Sequence, residues 1–155
     1  KMESHYYNID INWNKERRGT MCSPELMHSG ADQNGCIEVA TPPEFPKGIP
    51  GIWSPEHLFT ASVTSCLMTT FLSIAENSKL EFTDFNCRSK GKLEQIEGKF
   101  QMSEVILEPT VTIVHEKDRE KAERILFKSE AACLISNSVK SKITLIPVVK
   151  TADQK

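Results

Sequence analysis

The chain has 155 residues, a net charge of −2, 39% hydrophobic residues and 26% charged ones. That length fits one domain spanning residues 1–155, able to bury a core without staples. The near-neutral charge excludes a broad electrostatic footprint for nucleic acid. The N-terminal run KMESHYYNIDINW holds no apolar core of the kind a secretion signal needs, so no leader is expected.

In chain order, Tyr7, Ile9, Ile11 and Trp13 alternate, which predicts a half-buried strand. NKERRG is a polar turn, and TMCS returns as a second strand. A turn at Asn34-Gly35 leads into a third strand over residues 36–40. Pro42, Pro43, Pro46, Pro50 and Pro55 come next; such density predicts an ordered loop, not a helix or a central strand. Ser54 then suits a helix N-cap, Pro55 the first helical position and Glu56 the positive end of the dipole. The helix is predicted to end near Asn77. Its apolar residues lie on every side, which predicts a central, buried helix. Residues 58–75 carry no charge but include seven Ser or Thr, which argues against a lipid-facing span.

Beyond it, Cys87, Ser89, Gly91 and Leu93 alternate with Arg88, Lys90, Lys92 and Glu94, again a strand. EGKF is a hairpin turn, and EVILEPTVTIV the return strand, with Pro109 implying an edge or a bulge. DREKAERILFKSEAACLISNSVKS reads as a second amphipathic helix carrying Cys133 on its apolar stripe, and KITLIPVV closes as one strand. The order β-β-β-α-β-β-α-β predicts an α+β fold.

Five cysteines, with no C-x-x-C pair and no zinc-ligand spacing, predict free thiols, a reducing compartment and no metal site. Cys22, Cys36 and Cys87 sit in strands and read as structural. Cys66 lies mid-helix, where an apolar setting ordinarily quiets a thiol; activating it requires a cation or hydrogen-bond donors from elsewhere in the fold. Glu56 and Cys66 are ten residues apart. On one straight helix that is roughly 15 Å and about 80° of azimuth. Serving one site would need a helix that breaks or bends near its start, or a second chain. Arg17 and Arg18 flank a turn, where charges are ordinarily solvated, and His57 reads as a capping or surface residue.

The stretch SPEHLFTASVTSCLMTTFL resembles the OsmC/Ohr family of osmotically inducible and organic hydroperoxide resistance proteins. The resemblance rests on Ser54-Pro55-Glu56, Cys66 ten residues after the Glu, and Cys133-Leu134-Ile135-Ser136, where Leu134 stands in place of the family's usual Pro. The order of elements fits too. The resemblance implies an intertwined homodimer with two sites, no cofactor, and thiol peroxidase activity on organic hydroperoxides; the expected lack of a leader and the odd cysteine count point to the cytoplasm. It implies that Cys66 is peroxidatic and Cys133 resolving. An Arg, Arg17 or else Arg18, held by Glu56, would support the thiolate. Ile52, Trp53, Phe59 and Met68 would form apolar walls against the substrate. A dithiol, such as a lipoylated protein, would be the reductant, with no membrane or nucleic-acid partner. A non-catalytic ligand- or lipid-binding dimer, a redox sensor and a purely structural interaction domain are the other readings.

Overall fold

A computed structural model describes residues 2–26 and 35–152. The predicted turn at Asn34-Gly35 lies, at Asn34, outside the described residues. The class is α+β: two sheets and two long helices, with the chain forming two compact units, Lys1–Leu58 and Phe59–Lys155.

The first unit holds an antiparallel sheet of β1 (Asp10–Lys15), β2 (Arg18–Cys22) and β3 (Cys36–Ala40), in that order. The β1–β2 turn is Glu16-Arg17, with Glu16 at φ 51°. β1 is the edge strand and begins only at Asp10; Tyr7 and Ile9 precede it. The alternation was expected to half-bury this segment, but Ile11 is 63% and Trp13 77% exposed. An apolar face is legible from period-2 spacing; what covers it is not. The register places Cys22 directly opposite Cys36, and the two form a disulfide. This corrects the expectation of free thiols throughout: residues 14 apart in sequence become cross-strand neighbours once β2 and β3 pair.

The proline-rich loop is ordered by its own backbone. Ile49 N–H donates to Thr41 O (2.9 Å), Gly48 N–H to Phe45 O (3.0 Å), and Thr41 N–H to Arg17 O (3.2 Å). It delivers the chain to α1 (Pro55–Asn77), an unbroken helix. Ser54, fully buried, caps it: the His57 amide donates to Ser54 Oγ (3.2 Å), and Oγ meets His57 Nδ1 at 2.6 Å. His57 stands where a capping box has its Glu, but its ring meets the Ser54 hydroxyl and not the Ser54 backbone N–H, so the box is not reciprocal.

In the second unit β4 (Phe82–Ile96) and β5 (Lys99–Ile113) form a long hairpin closed by Glu97 and Gly98, both at positive φ (51° and 77°). Two such residues give the primed turn that matches strand twist, and Gly98 takes its place in it without steric cost. β5 is the central strand: Val105, Leu107, Pro109, Val111 and Ile113 are buried in strict alternation. On its other side run two short parallel strands, β6 (Lys142–Leu145) and β7 (Val148–Thr151). The single closing strand read from KITLIPVV is therefore two, broken at Ile146-Pro147. The same break corrects the reading of Pro109. It sits at neither an edge nor a bulge; β6 pairs with residues up to Leu107 and β7 from Thr110, so Pro109, which lacks an N–H, falls in the gap between them.

Both helices contribute to this unit's core. Val63 and Leu67 of α1 pack with Val105 and Leu107. Phe71 and Ala75 pack with Val111, Ile113, Val149, and with Ala122, Ile125 and Leu126 of α2 (Arg119–Ala132). Each fully buried Leu, Val or Phe contributes about 1.5–3 kcal/mol. A Cβ on Gly91 would clash with Thr60 Oγ1, so α1 approaches β4 closely there. α1 is long and apolar enough to cross a membrane, with mean hydropathy 1.6, but one of its faces is core. Several of its hydroxyls bond back to the helix, as in Ser62 Oγ to Phe59 O (2.7 Å) and Thr64 Oγ1 to Thr60 O (2.8 Å). Burial within the chain covers that one face, through Val63, Cys66, Leu67, Phe71 and Ala75; Met68 and Leu72 are exposed.

Candidate active site

α1 directs Cys66 to its buried face, one residue before the core residue Leu67. Cys133 was expected inside the second helix. It is instead the residue that ends it, extended at ψ 115° and fully buried. The helix stops because the residues beyond, Ile135-Ser136-Asn137-Ser138, are β-branched or compete for backbone hydrogen bonds. Asn137 supplies two such bonds: its Nδ2 donates to Ala131 O (3.1 Å) and its amide to Cys133 O (3.1 Å). A single 3₁₀ turn, Ser136–Ser138, completes the corner.

This corner brings Cys133 to Cys66. Both thiols are free, and the Cys133 thiol donates a hydrogen bond to Cys66 Sγ. The amides of Ile135 and Leu134 and the hydroxyl of Thr70 also bond Cys66, with Thr70 Oγ1 at 3.9 Å. Burial pushes the Cys66 thiol up, but these donors outweigh it and hold the thiol below its ordinary range. Cys133 moves the opposite way: burial and then the bond to Cys66 raise it, against the hydroxyl and amide of Ser136. The two neighbouring thiols are therefore shifted in opposite directions, Cys66 down and Cys133 up. Cys87 shows the contrast: burial raises it, and Ser89 at 3.5 Å and the Glu108 backbone do not offset that.

The sequence left the thiol's activation to a cation or hydrogen-bond donors, and the resemblance implied an Arg. Within the second unit the support is hydrogen bonding. Thr70 was legible, being four residues after Cys66 and hence on the same helical face. The amides of Leu134 and Ile135 were not, because a corner in place of continuing helix is what frees them.

The first unit places Arg17, Arg18 and Glu56 around one concavity of about 690 Å³, with Ile11, Trp13, Val39, Pro42 and Phe45 among its walls. Arg17 is exposed in the turn. Arg18 opens β2, half-buried, with Nε buried and no hydrogen-bond partner. Of the predicted walls, Ile52 is half-buried and Trp53 about half exposed, its ring edge-on to His57 at 6.2 Å. In the second unit Phe59 packs against the Val63–Leu107 core cluster, and Met68 is exposed.

Residues 48–147 match the family model described as OsmC-like protein. The chain belongs to the OsmC-like family. This OsmC-like chain is 24% identical over 149 residues to the uncharacterized protein YmaD of Bacillus subtilis, covering 93% of each. Its fold is similar to that of an OsmC-like protein of unknown function from Vibrio cholerae, with TM-score 0.80, 20% identity, and 94% of this chain and 100% of the other covered. It is also similar to the organic hydroperoxide resistance protein OhrB of Bacillus subtilis, with TM-score 0.66, 18% identity, and 94% and 98% covered. Such distant likeness establishes the OsmC/Ohr fold.

Proposed function

We propose that the protein is a cysteine-based reductase of organic hydroperoxides. The observation that carries this is the paired free thiols, with Cys66 lowered by Cys133, two amides and Thr70. The Cys66 thiolate attacks the terminal oxygen of R–O–OH. The S–O bond forms, the O–O bond breaks, and the alkoxide leaves and takes a proton as ROH. The resulting sulfenic acid is attacked by Cys133 as thiolate; the disulfide forms and hydroxide leaves, to be protonated to water. An external dithiol, such as a lipoylated protein, reduces the disulfide by exchange and is itself oxidised.

Two chains complete the site in this reading. The unbroken α1 argues against a helix break as the way for Glu56 and Cys66 to serve one centre. The exposed Ile11, Trp13, Met68 and Leu72 offer apolar surface for a second copy. Arg17 or Arg18, positioned by Glu56, would then add a guanidinium to the hydrogen-bond donors. Trp53, Ile52, Phe59 and Met68 remain the proposed apolar contacts for an alkyl substrate, and the cytoplasm the proposed compartment.

A second reading is favoured by the arginine-bearing apolar concavity: binding of a small amphipathic acid or lipid without turnover. The discriminating experiment incubates reduced protein with cumene hydroperoxide or hydrogen peroxide and a dithiol, and monitors peroxide consumption. Peroxidase function predicts catalytic consumption, faster with the organic peroxide. Stoichiometric or no consumption with both would leave the binding reading.

A further inference from the structure

Hydroxyls inside a helix ordinarily bond back to a carbonyl three or four residues earlier. On α1, Ser62, Thr64 and Ser65 do so, to Phe59 O (2.7 Å), Thr60 O (2.8 Å) and Ser62 O (3.3 Å). Thr69 does the same, to Cys66 O (3.1 Å). Thr70 departs from the habit. Cys66 O, the carbonyl four residues before it, already accepts from Thr69, and Thr70 Oγ1 instead faces Cys66 Sγ at 3.9 Å. Two adjacent threonines thus divide one cysteine between them, Thr69 on its carbonyl and Thr70 on its sulfur. The Cys66–Thr70 row runs along the margin of the buried face. Leu67 and Phe71 on one side of it are core, Ser65 and Thr69 on the other are exposed, and Thr70 itself is half-buried.

That placement suits the chemistry of oxygen transfer. In the thiol form either group can donate; in the thiolate only the Thr70 hydroxyl can. At 3.9 Å the hydroxyl stands off the sulfur and does not close on it. The oxygen that Cys66 takes from a hydroperoxide becomes bonded to that sulfur. On the side of Thr70 it comes within the about 2.5–3.0 Å of an O–H···O bond, a better acceptor for the same hydroxyl. A donor fixed beside the sulfur before reaction needs no rearrangement as charge moves from the sulfur to the peroxide oxygens. The hydroxyl gives a hydrogen bond only. The S–O bond forms, the O–O bond breaks, the alkoxide takes its proton from water, and Thr70 keeps its own.

We infer that Thr70 is a catalytic residue whose hydroxyl holds the hydroperoxide oxygen as Cys66 takes it up. This rests on the peroxidase reading. Two reagents separate oxygen transfer from simple thiol reactivity. Reduced protein, otherwise native, is treated with cumene hydroperoxide or with iodoacetamide across a pH series, and mass spectrometry follows the Cys66 peptide. Iodoacetamide puts carbon, not oxygen, on the sulfur. The pH dependence of alkylation gives the Cys66 midpoint, so both rates are compared at full ionisation.

Thr70→Val keeps the branched shape and removes the hydroxyl. It should slow Cys66 oxidation about tenfold per thiolate, the effect of one donor lost from a transition state, with alkylation per thiolate within about twofold of native. Thr70→Ser, which returns the hydroxyl, should return the oxidation rate. Equal slowing of both reagents by Thr70→Val would mark a packing effect and overturn the inference. So would an unchanged hydroperoxide rate per thiolate, even with a displaced midpoint, or a Thr70→Ser protein as slow as the Val one. If the native protein itself is not oxidised at Cys66, the peroxidase reading falls and this role with it. Native oxidation beside an unaffected Thr70→Val protein removes the Thr70 role alone.

Discussion

The two cysteine pairs of this chain are made by different means. Cys22 and Cys36 are opposed by strand register, and their proximity is a property of one hairpin sheet. Cys66 and Cys133 are 67 positions apart by their numbers and meet because a helix face and a helix-ending corner converge on one core. The first pair is a closed disulfide. The second is an open dithiol supplied with amide and hydroxyl donors. Nearness alone therefore does not set how readily a thiol ionises; the groups around the sulfur do.

Cysteine substitutions should separate the two pairs sharply. The largest effect is expected for Cys66→Ser, which should reduce hydroperoxide consumption to the uncatalysed background in a coupled dithiol assay. Next, Cys133→Ser should allow the first oxidation but not the intramolecular disulfide, so mass spectrometry should find sulfinic acid building up on Cys66. Equal residual turnover in these two variants would erase the assigned division of roles. The Cys22→Ser/Cys36→Ser protein should behave oppositely. Removing a bridge that closes a loop of this size should cost about 3 kcal/mol in denaturant unfolding, with consumption per folded molecule retained. Loss of turnover without loss of stability there would make the hairpin pair a participant.

The smallest expected effect comes from a site that uses neither pair. Arg119 joins Glu116 Oε1 (2.5 Å), Val149 O (2.6 Å) and Thr151 Oγ1 (3.2 Å), clipping β7 beside α2. The Arg119 bond, then that from Thr151, lowers the Glu116 carboxyl from 4.5 to about 2. A depressed folded pKa gives stability that is present above the unfolded value and lost as pH falls toward the folded one. Glu116→Gln should thus lower the melting temperature slightly at neutral pH. The gap to the native protein should narrow as pH drops from about 4.5 toward about 2. A gap independent of pH would mean the charge is not what holds the clip.

Much of the fold was legible because its signals are local. Ser54-Pro55-Glu56 capped α1 as predicted, and the period-2 pattern of 105–113 became the buried face of β5. What was misread depended on tertiary partners. Pro109 argues for an edge unless the neighbouring strand breaks opposite it, and that break, at Ile146-Pro147, is set by β6 and β7 pairing. Cys133 fits a helical stripe until the corner's side chains outcompete the helix. At the site, the spacing of Glu56, Cys66 and Cys133 drew attention to two thiols that the fold brings together. The backbone amides that lower Cys66 have no side-chain signature at all, and only the path of the chain after Ala132 reveals them.

The central claim is that Cys66 and Cys133 form one redox couple. Its most direct measurement is peptide mapping of reduced protein, blocked after a single stoichiometric addition of cumene hydroperoxide. The account predicts a Cys66–Cys133 disulfide that forms in the native protein and is absent from both single Ser variants, with Cys87 unmodified. Full retention of both thiols, or a disulfide that joins Cys66 to any other cysteine in preference to Cys133, would contradict it.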